Sequence, residues 1–249
     1  MQQFAALALL LATAAGAAWY LRKNVRGHER PTGTQRRSDR YCRWIARAAL
    51  LFLGIPLAGL ALLGRIDTLW HFPPEFEPTV RQLVGGTASA QEIGTLLPIL
   101  VGAMLGGGLT GGIVAALRKS RKPFTLGKIG SLLPRNRTEL AYAAALSVNA
   151  GVTEEVFFRL YLPLLAVLAG APPLAAFAAA ALLFGAAHFY QGWAGVLATT
   201  VVGGVMTFVY LWSGALWVPV LLHVLLDLIG LVLRPAMAGV WREPGNGSI

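Results

Sequence analysis

Six ionisable side chains lie inside otherwise apolar segments of this chain: Glu154, Glu155, Arg159, His188, His223 and Asp227, with Asn149 nearby. A charge at the centre of a bilayer costs roughly 2.5–3.5 kcal/mol or more, so six isolated groups facing lipid would be hard to tolerate. Their spacing instead favours a shared wet cavity. Glu155 and Arg159 are four residues apart, so one helix face presents both and they can pair. Glu154 lies about 100° round from Glu155, so the two carboxylates need not share a role. Phe184 and His188 are also four apart, as are His223 and Asp227. Carboxylates and imidazoles around one cavity are the parts of an acid–base site, in which one group takes a proton from water and others steady developing charge. A Gly-x-Ser-x-Gly elbow and a His-Glu-x-x-His helix are absent from the sequence, and Cys42 lies outside the apolar core.

These residues need elements long enough to carry them. Of the 249 residues, 56% are hydrophobic and 13% charged, and the mean hydropathy is +0.61. A soluble domain carries about 25% charged residues, and one core of this size cannot hide so much apolar surface. Disorder, a collagen-like repeat and a disulfide scaffold are excluded by the same composition. A membrane-crossing helix needs about 20 mostly apolar residues. The pattern predicts spans at 4–21, 44–64, 95–117, 139–169, 172–189, 193–212 and 215–234. The span from 139 is long enough to tilt, project or break in two. The expectation is therefore an all-α, polytopic membrane helical bundle with seven to eight transmembrane helices. No stretch shows the sustained alternation of barrel strands. Gly106, Gly107, Gly108, Gly111 and Gly112 either permit close helix packing or loosen their helix. Residues 1–90 read as an accessory region, 91–138 as the third span with a basic loop, 139–234 as the functional core and 235–249 as a tail.

Depth is consistent for one pair. Glu154 is 16 residues before Gly170 and His188 is 17 after Ala171, which sets them level in an antiparallel hairpin. His223, nine residues past Gly214, needs unequal tilts or a displaced turn to join them.

The net charge of +10 comes from 21 Lys+Arg against 11 Asp+Glu. Nine basic residues fall between Arg22 and Arg47 and seven between Arg118 and Arg137. Both clusters adjoin apolar runs, which is the pattern of cytoplasmic juxtamembrane segments touching anionic lipid rather than of a nucleic-acid surface. Loops 22–43 and 118–138 are thus expected in the cytoplasm, with the N-terminus and loop 65–94 outside. The first span ends in an Ala-rich stretch that looks cleavable. No charged side chain precedes it and a basic loop follows it, so a retained anchor is expected. Cys42, the single cysteine, has no internal disulfide partner; it is a free thiol or a palmitoylation site.

Glu154-Glu155-x-x-x-Arg159, Phe184-x-x-x-His188 and His223-x-x-x-Asp227 occur in that order on successive hydrophobic segments. Together they resemble the CPBP family of intramembrane proteases, also called the Abi or type II CAAX prenyl endopeptidase family, over about residues 139–234. Two positions depart from the family pattern. Leu160 stands where Gly often follows the motif arginine, and Asp227 stands where Asn is frequent. The resemblance implies an integral membrane protein of a bacterial inner membrane that cleaves membrane-embedded or lipidated protein substrates. It implies that the glutamate and first histidine act on water, and the second histidine with Asn or Asp on the oxyanion.

In those terms Glu154 is the general base, with His188 holding the attacking water. His223 stabilises the oxyanion, and Asp227 either orients that imidazole or shares the donor role, for which it must be protonated. Glu155 and Arg159 form a positioning pair. No cofactor is favoured. The alternative is a divalent metal, Zn²⁺ or Mn²⁺, on Glu154, His188 and His223. Two non-protease readings use the same residues: a proton-coupled transporter, against which no inverted repeat is found, and a non-catalytic immunity or scaffold protein. Nothing in the sequence marks a prenyl-binding groove.

Overall fold

The computed structural model describes residues 2–26, 34–117, 129–130 and 132–240, and among these every regular element is helical. Much of the two basic loops expected at 22–43 and 118–138, and residues 241–249 of the tail, lie outside the described residues. The first helix is α1 (Gln2–Arg26). A second rod joins α2 (Thr34–Ala49) to α3 (Ile55–Leu62) through a π-helical turn, Leu50–Gly54. Short helical turns and α4 (Glu77–Leu83) lead to α5 (Ala90–Leu117). A long rod joins α6 (Arg137–Glu155) to α7 (Leu162–Leu168) through the π turn Val156–Tyr161. Next come α8 (Pro173–Ala187) and α9 (Trp193–Ser213). The last rod is α10 (Trp217–Leu228), the π turn Ile229–Leu233 and α11 (Arg234–Met237).

Arg36–Leu62, Ala90–Val114, Trp193–Ser213 and Trp217–Met237 are long and apolar enough to cross a membrane, and Gln2–Ala18 and Pro173–Ala187 are shorter apolar helices. The rod that carries Glu154, Glu155 and Arg159 is not among the four. Four helices of that length and composition mark a membrane protein.

The three π turns share a cause. Pro56, Pro163 and Pro235 each stand at the second position of the α-segment that follows a π turn. A proline inside a helix has no N–H to donate and its ring collides with the carbonyl four residues back. Widening the preceding turn accommodates the ring without breaking the rod. The long span thus continues as one rod through its π turn rather than splitting in two.

The α2–α3 and α6–α7 rods run parallel. Arg37 meets Glu139 at one end, Phe52 packs on Phe157 and Phe158 in the middle, and Gly59 faces Tyr161 at the other. A Cβ on Gly59 would collide with the Tyr161 hydroxyl and ring, so only glycine permits this approach. The glycine run of α5 packs through one face. Gly108, Gly111 and Gly112 abut Ile229, Arg234 and Met237, whereas Gly106 and Gly107 meet open space. The αL residue Gly214 caps α9, its N–H bonding to the carbonyl of Tyr210.

Residues 65–89 fold back on the bundle. Phe76 is fully buried against Phe177 and Tyr210, and the Ala88 N–H donates to the carbonyl of Trp212 at 2.7 Å. Arg65 grips Glu75 through two bonds of 2.5 and 2.8 Å, and that grip holds the Glu75 carboxyl below its usual range. Ala6, Leu60, Phe76 and Val80 belong to the same core as Phe158, Phe177 and Phe184. The N-terminal third therefore helps to build the core around the later helices.

A second buried ion pair, not anticipated from the sequence, locks α2 to the start of α6. Arg37 Nε lies 3.0 Å from both oxygens of Glu139, and Arg37 Nη2 donates to the carbonyl of Leu133 at 2.8 Å. The two side chains are 2% and 1% exposed. Removing one member of a buried pair costs about 3–5 kcal/mol, whereas apolar replacement of both is often neutral. Glu139→Gln should therefore lower the melting temperature in detergent sharply, and Arg37→Met with Glu139→Leu should recover most of the loss.

Candidate active site

The last turn of α6 supplies Glu154 and Glu155, and the π turn that follows carries Arg159. The C-terminal end of α8 supplies Phe184 and, at its cap, His188. The middle and end of α10 supply His223 and Asp227.

Glu155 is the hub. Its Oε2 lies 3.0 Å from Arg159 Nε, and its Oε1 accepts from His223 Nδ1 at 2.6 Å. The pairing expected of Glu155 with Arg159 is present, and His223 is a second partner. The imidazole of His223 is oriented by Glu155. Asp227, one turn further along α10, makes no hydrogen bond to it among the described residues. Asp227 does lie within electrostatic range of both histidines.

Arg159 is fixed on two further sides. Its guanidinium lies over the Phe184 ring, 4.6 Å from the centroid, and its Nη2 reaches toward the Gly203 carbonyl at 3.5 Å. Phe184 is therefore a cation–π platform as well as core.

The two carboxylates are unequal. The Glu155 side chain is wholly buried, while that of Glu154 is 14% exposed. Glu154 Oε2 stands 4.0 Å from His223 Nε2 and has no hydrogen-bond partner among the described residues. His188 Nδ1 lies 2.8 Å from the carbonyl of Phe184. A carbonyl only accepts, so Nδ1 carries the proton and, in the neutral ring, Nε2 keeps its lone pair. The rings of His188 and His223 flank Phe184 at 4.7 and 6.1 Å. Glu154 and His188 share no hydrogen bond or ion pair among the described residues, and Asn149 stays outside the contact network, its buried Nδ2 unpaired.

Glycine explains how His223 reaches Glu155 despite its unequal distance from the turn. A Cβ on Gly151 would lie 2.8 Å from the backbone nitrogen of Val224 and 3.1 Å from its Cα. α6 and α10 therefore touch backbone to backbone one turn before Glu155 and one residue after His223. A glycine one turn ahead of paired carboxylates was the available sequence signal, but its partner helix was not readable.

A metal ion fits poorly. Among the described residues no three His, Cys, Asp or Glu side chains are placed to hold one. Glu154, His188 and His223 form no such group, and a metalloprotease-like description is not supported.

Glu155→Gln keeps an acceptor for His223 but strands Arg159 without a countercharge. A drop in stability of about 3–5 kcal/mol is expected by thermal or denaturant melt. The pair Glu155→Gln with Arg159→Met should restore much of it.

No curated protein and no solved structure matches the chain. A family match does cover the site. It begins at the N-cap residue of α6 and ends one residue past α10, so it contains every residue of the cluster. Residues 136–229 match the family described as type II CAAX prenyl endopeptidase Rce1-like, which is consistent with the CPBP family that the three motifs resemble.

Proposed function

We propose that this protein is an intramembrane endopeptidase that hydrolyses peptide bonds of membrane-associated or lipidated substrates with water activated by Glu154. The observation that carries the reading is the chain Arg159–Glu155–His223, which aims the second nitrogen of His223 at Glu154 across 4.0 Å. That separation is too long for a direct hydrogen bond and suits a bridging water.

Glu154 takes a proton from the water as its oxygen attacks the scissile carbonyl carbon. His188 Nε2 accepts from the other water hydrogen and holds the lone pair in line. His223 takes the doubly protonated form, because three carboxylates, Glu154, Glu155 and Asp227, lie in its electrostatic surroundings and Arg159 supplies only one positive charge. His223 then donates through Nδ1 to Glu155 and through Nε2 to the oxyanion. On collapse the C–N bond breaks and the proton held by Glu154 passes to the leaving amine. Asp227 adds negative charge beside both histidines without touching the reacting atoms.

The remaining topology belongs to the same proposal. Seven to eight spans rest on the apolar runs and a bacterial inner membrane on the family resemblance, while an external N-terminus and cytoplasmic basic loops follow from the positive-inside rule. The substrate is a protein segment embedded in, or tethered to, the bilayer.

Loss of a general base costs about 10²–10⁴-fold in rate. Glu154→Gln should therefore abolish measurable cleavage at unchanged melting temperature, and uncleaved membrane precursors should accumulate in that strain by comparative proteomics. His188→Ala should behave alike; full activity in either variant would overturn the reading. Gly151→Ala, which forces α10 off α6, should lower kcat about tenfold or more with little change in KM, because it disturbs alignment rather than substrate contact.

A further inference from the structure

The first four turns of α2 carry an arginine stripe that the proposed chemistry does not use. Arg36, Arg43 and Arg47 are exposed, and Arg40 is half-buried with its guanidinium over the Trp44 ring at 4.8 Å. At about 100° per residue these four fall within roughly 60° of one another on one helix face. Asp39, also exposed, borders the stripe and leaves it strongly positive. Arg135 and Arg137, exposed at the adjoining start of α6, extend the positive surface.

The same helix continues without a break into the apolar α3. The stripe therefore begins where the hydrocarbon ends. The interfacial layer is about 5–7 Å deep on each side, and four residues of helix rise about 6 Å. Arg47 and Arg43 thus stand at the level of headgroup phosphates. Arg40 and Arg36 stand within about a Debye length further out, where the potential of an anionic leaflet still acts.

The adjoining face of α2 is fixed to α6. Arg37 binds Glu139 and the Leu133 carbonyl, Tyr41 Oη donates to the Leu132 carbonyl at 2.6 Å, and Tyr41 stacks on Tyr142. Whatever holds the arginine stripe also holds the helix whose last turn carries Glu154. We infer that this face of α2 binds the phosphodiester headgroups of anionic lipids and so seats α6 at a set depth in the bilayer. The seating role rests on the function proposed above; the binding does not.

The test uses the full chain in nanodiscs of mixed phosphatidylcholine and phosphatidylglycerol, reading retained lipid by native mass spectrometry. One basic residue near an anionic surface is worth about fivefold in affinity. Wild type should retain phosphatidylglycerol at least about tenfold over phosphatidylcholine. The triple variant Arg36→Gln, Arg43→Gln, Arg47→Gln should lose that preference, and the matching triple Lys variant should keep it. Arg81→Gln, exposed on α4, should change nothing. Should the Gln triple not fold, wild type in about 0.5 M NaCl serves, since screening must erode the preference. No discrimination by wild type, undiminished discrimination in the Gln triple or in high salt, or displacement of the lipid by a DNA duplex would overturn the proposal. None of these readings requires cleavage, so they stand apart from the fate of the peptidase assignment.

Discussion

Everything in the cluster is arranged around one buried carboxylate. Glu155 has no exposure and two partners, an arginine on one oxygen and a histidine on the other. A lone charge there would be prohibitive, and the pair alone would be inert. The third member makes the difference, because the histidine held by Glu155 presents its free nitrogen toward Glu154. Division of labour between adjacent glutamates follows from helix geometry. With 100° between them, one is sealed in protein while the other keeps 14% of its side chain exposed.

Scaffold and site are bound by close approaches rather than by bulk. Gly151 lets α6 and α10 meet at the backbone, and Gly59 lets the two parallel rods meet at Tyr161. Gly185 seats α8 against Thr200 and the Val196 carbonyl one turn ahead of His188. Where lipid surrounds a bundle, apolar association has little driving force, so tight contact of small residues must supply cohesion. The aromatic series Phe52, Phe157, Phe158 and Phe184 then fills the space between rods and ends under the Arg159 guanidinium.

Much of this was readable in the chain. Apolar runs located each rod to within several residues, save that α2 begins ten residues earlier, because arginines interrupt the apolar signal while the helix continues. The Glu155–Arg159 pair followed from four-residue spacing. Other features depended on tertiary approach. The hydrogen-bond partner of His223 is Glu155, 68 residues away; of the two roles left open for Asp227, orienting that imidazole finds no hydrogen bond among the described residues. The 65–94 segment looked like a polar connection because Arg65, Asp67, Glu75 and Glu77 dominate it. Phe72 and Phe76 decide its packing, and their partners Tyr210 and Phe177 are remote in sequence. The π turns did leave a local mark, a proline at each, whose meaning becomes plain only once the rod is seen to continue past it.

Those widened turns have a consequence for how the chain can change. Each holds a surplus residue relative to a regular helix, which advances everything beyond it by about 100° around the axis. In the α6–α7 rod the boundary falls between Glu155 and the aromatic packing of Phe157, Phe158 and Tyr161. Loss or gain of a single amino acid there would re-phase one half of the rod against the other without shortening it appreciably. The half that carries the carboxylates and the half that packs through its aromatic rings thus answer to separate angular frames, coupled by one adjustable joint.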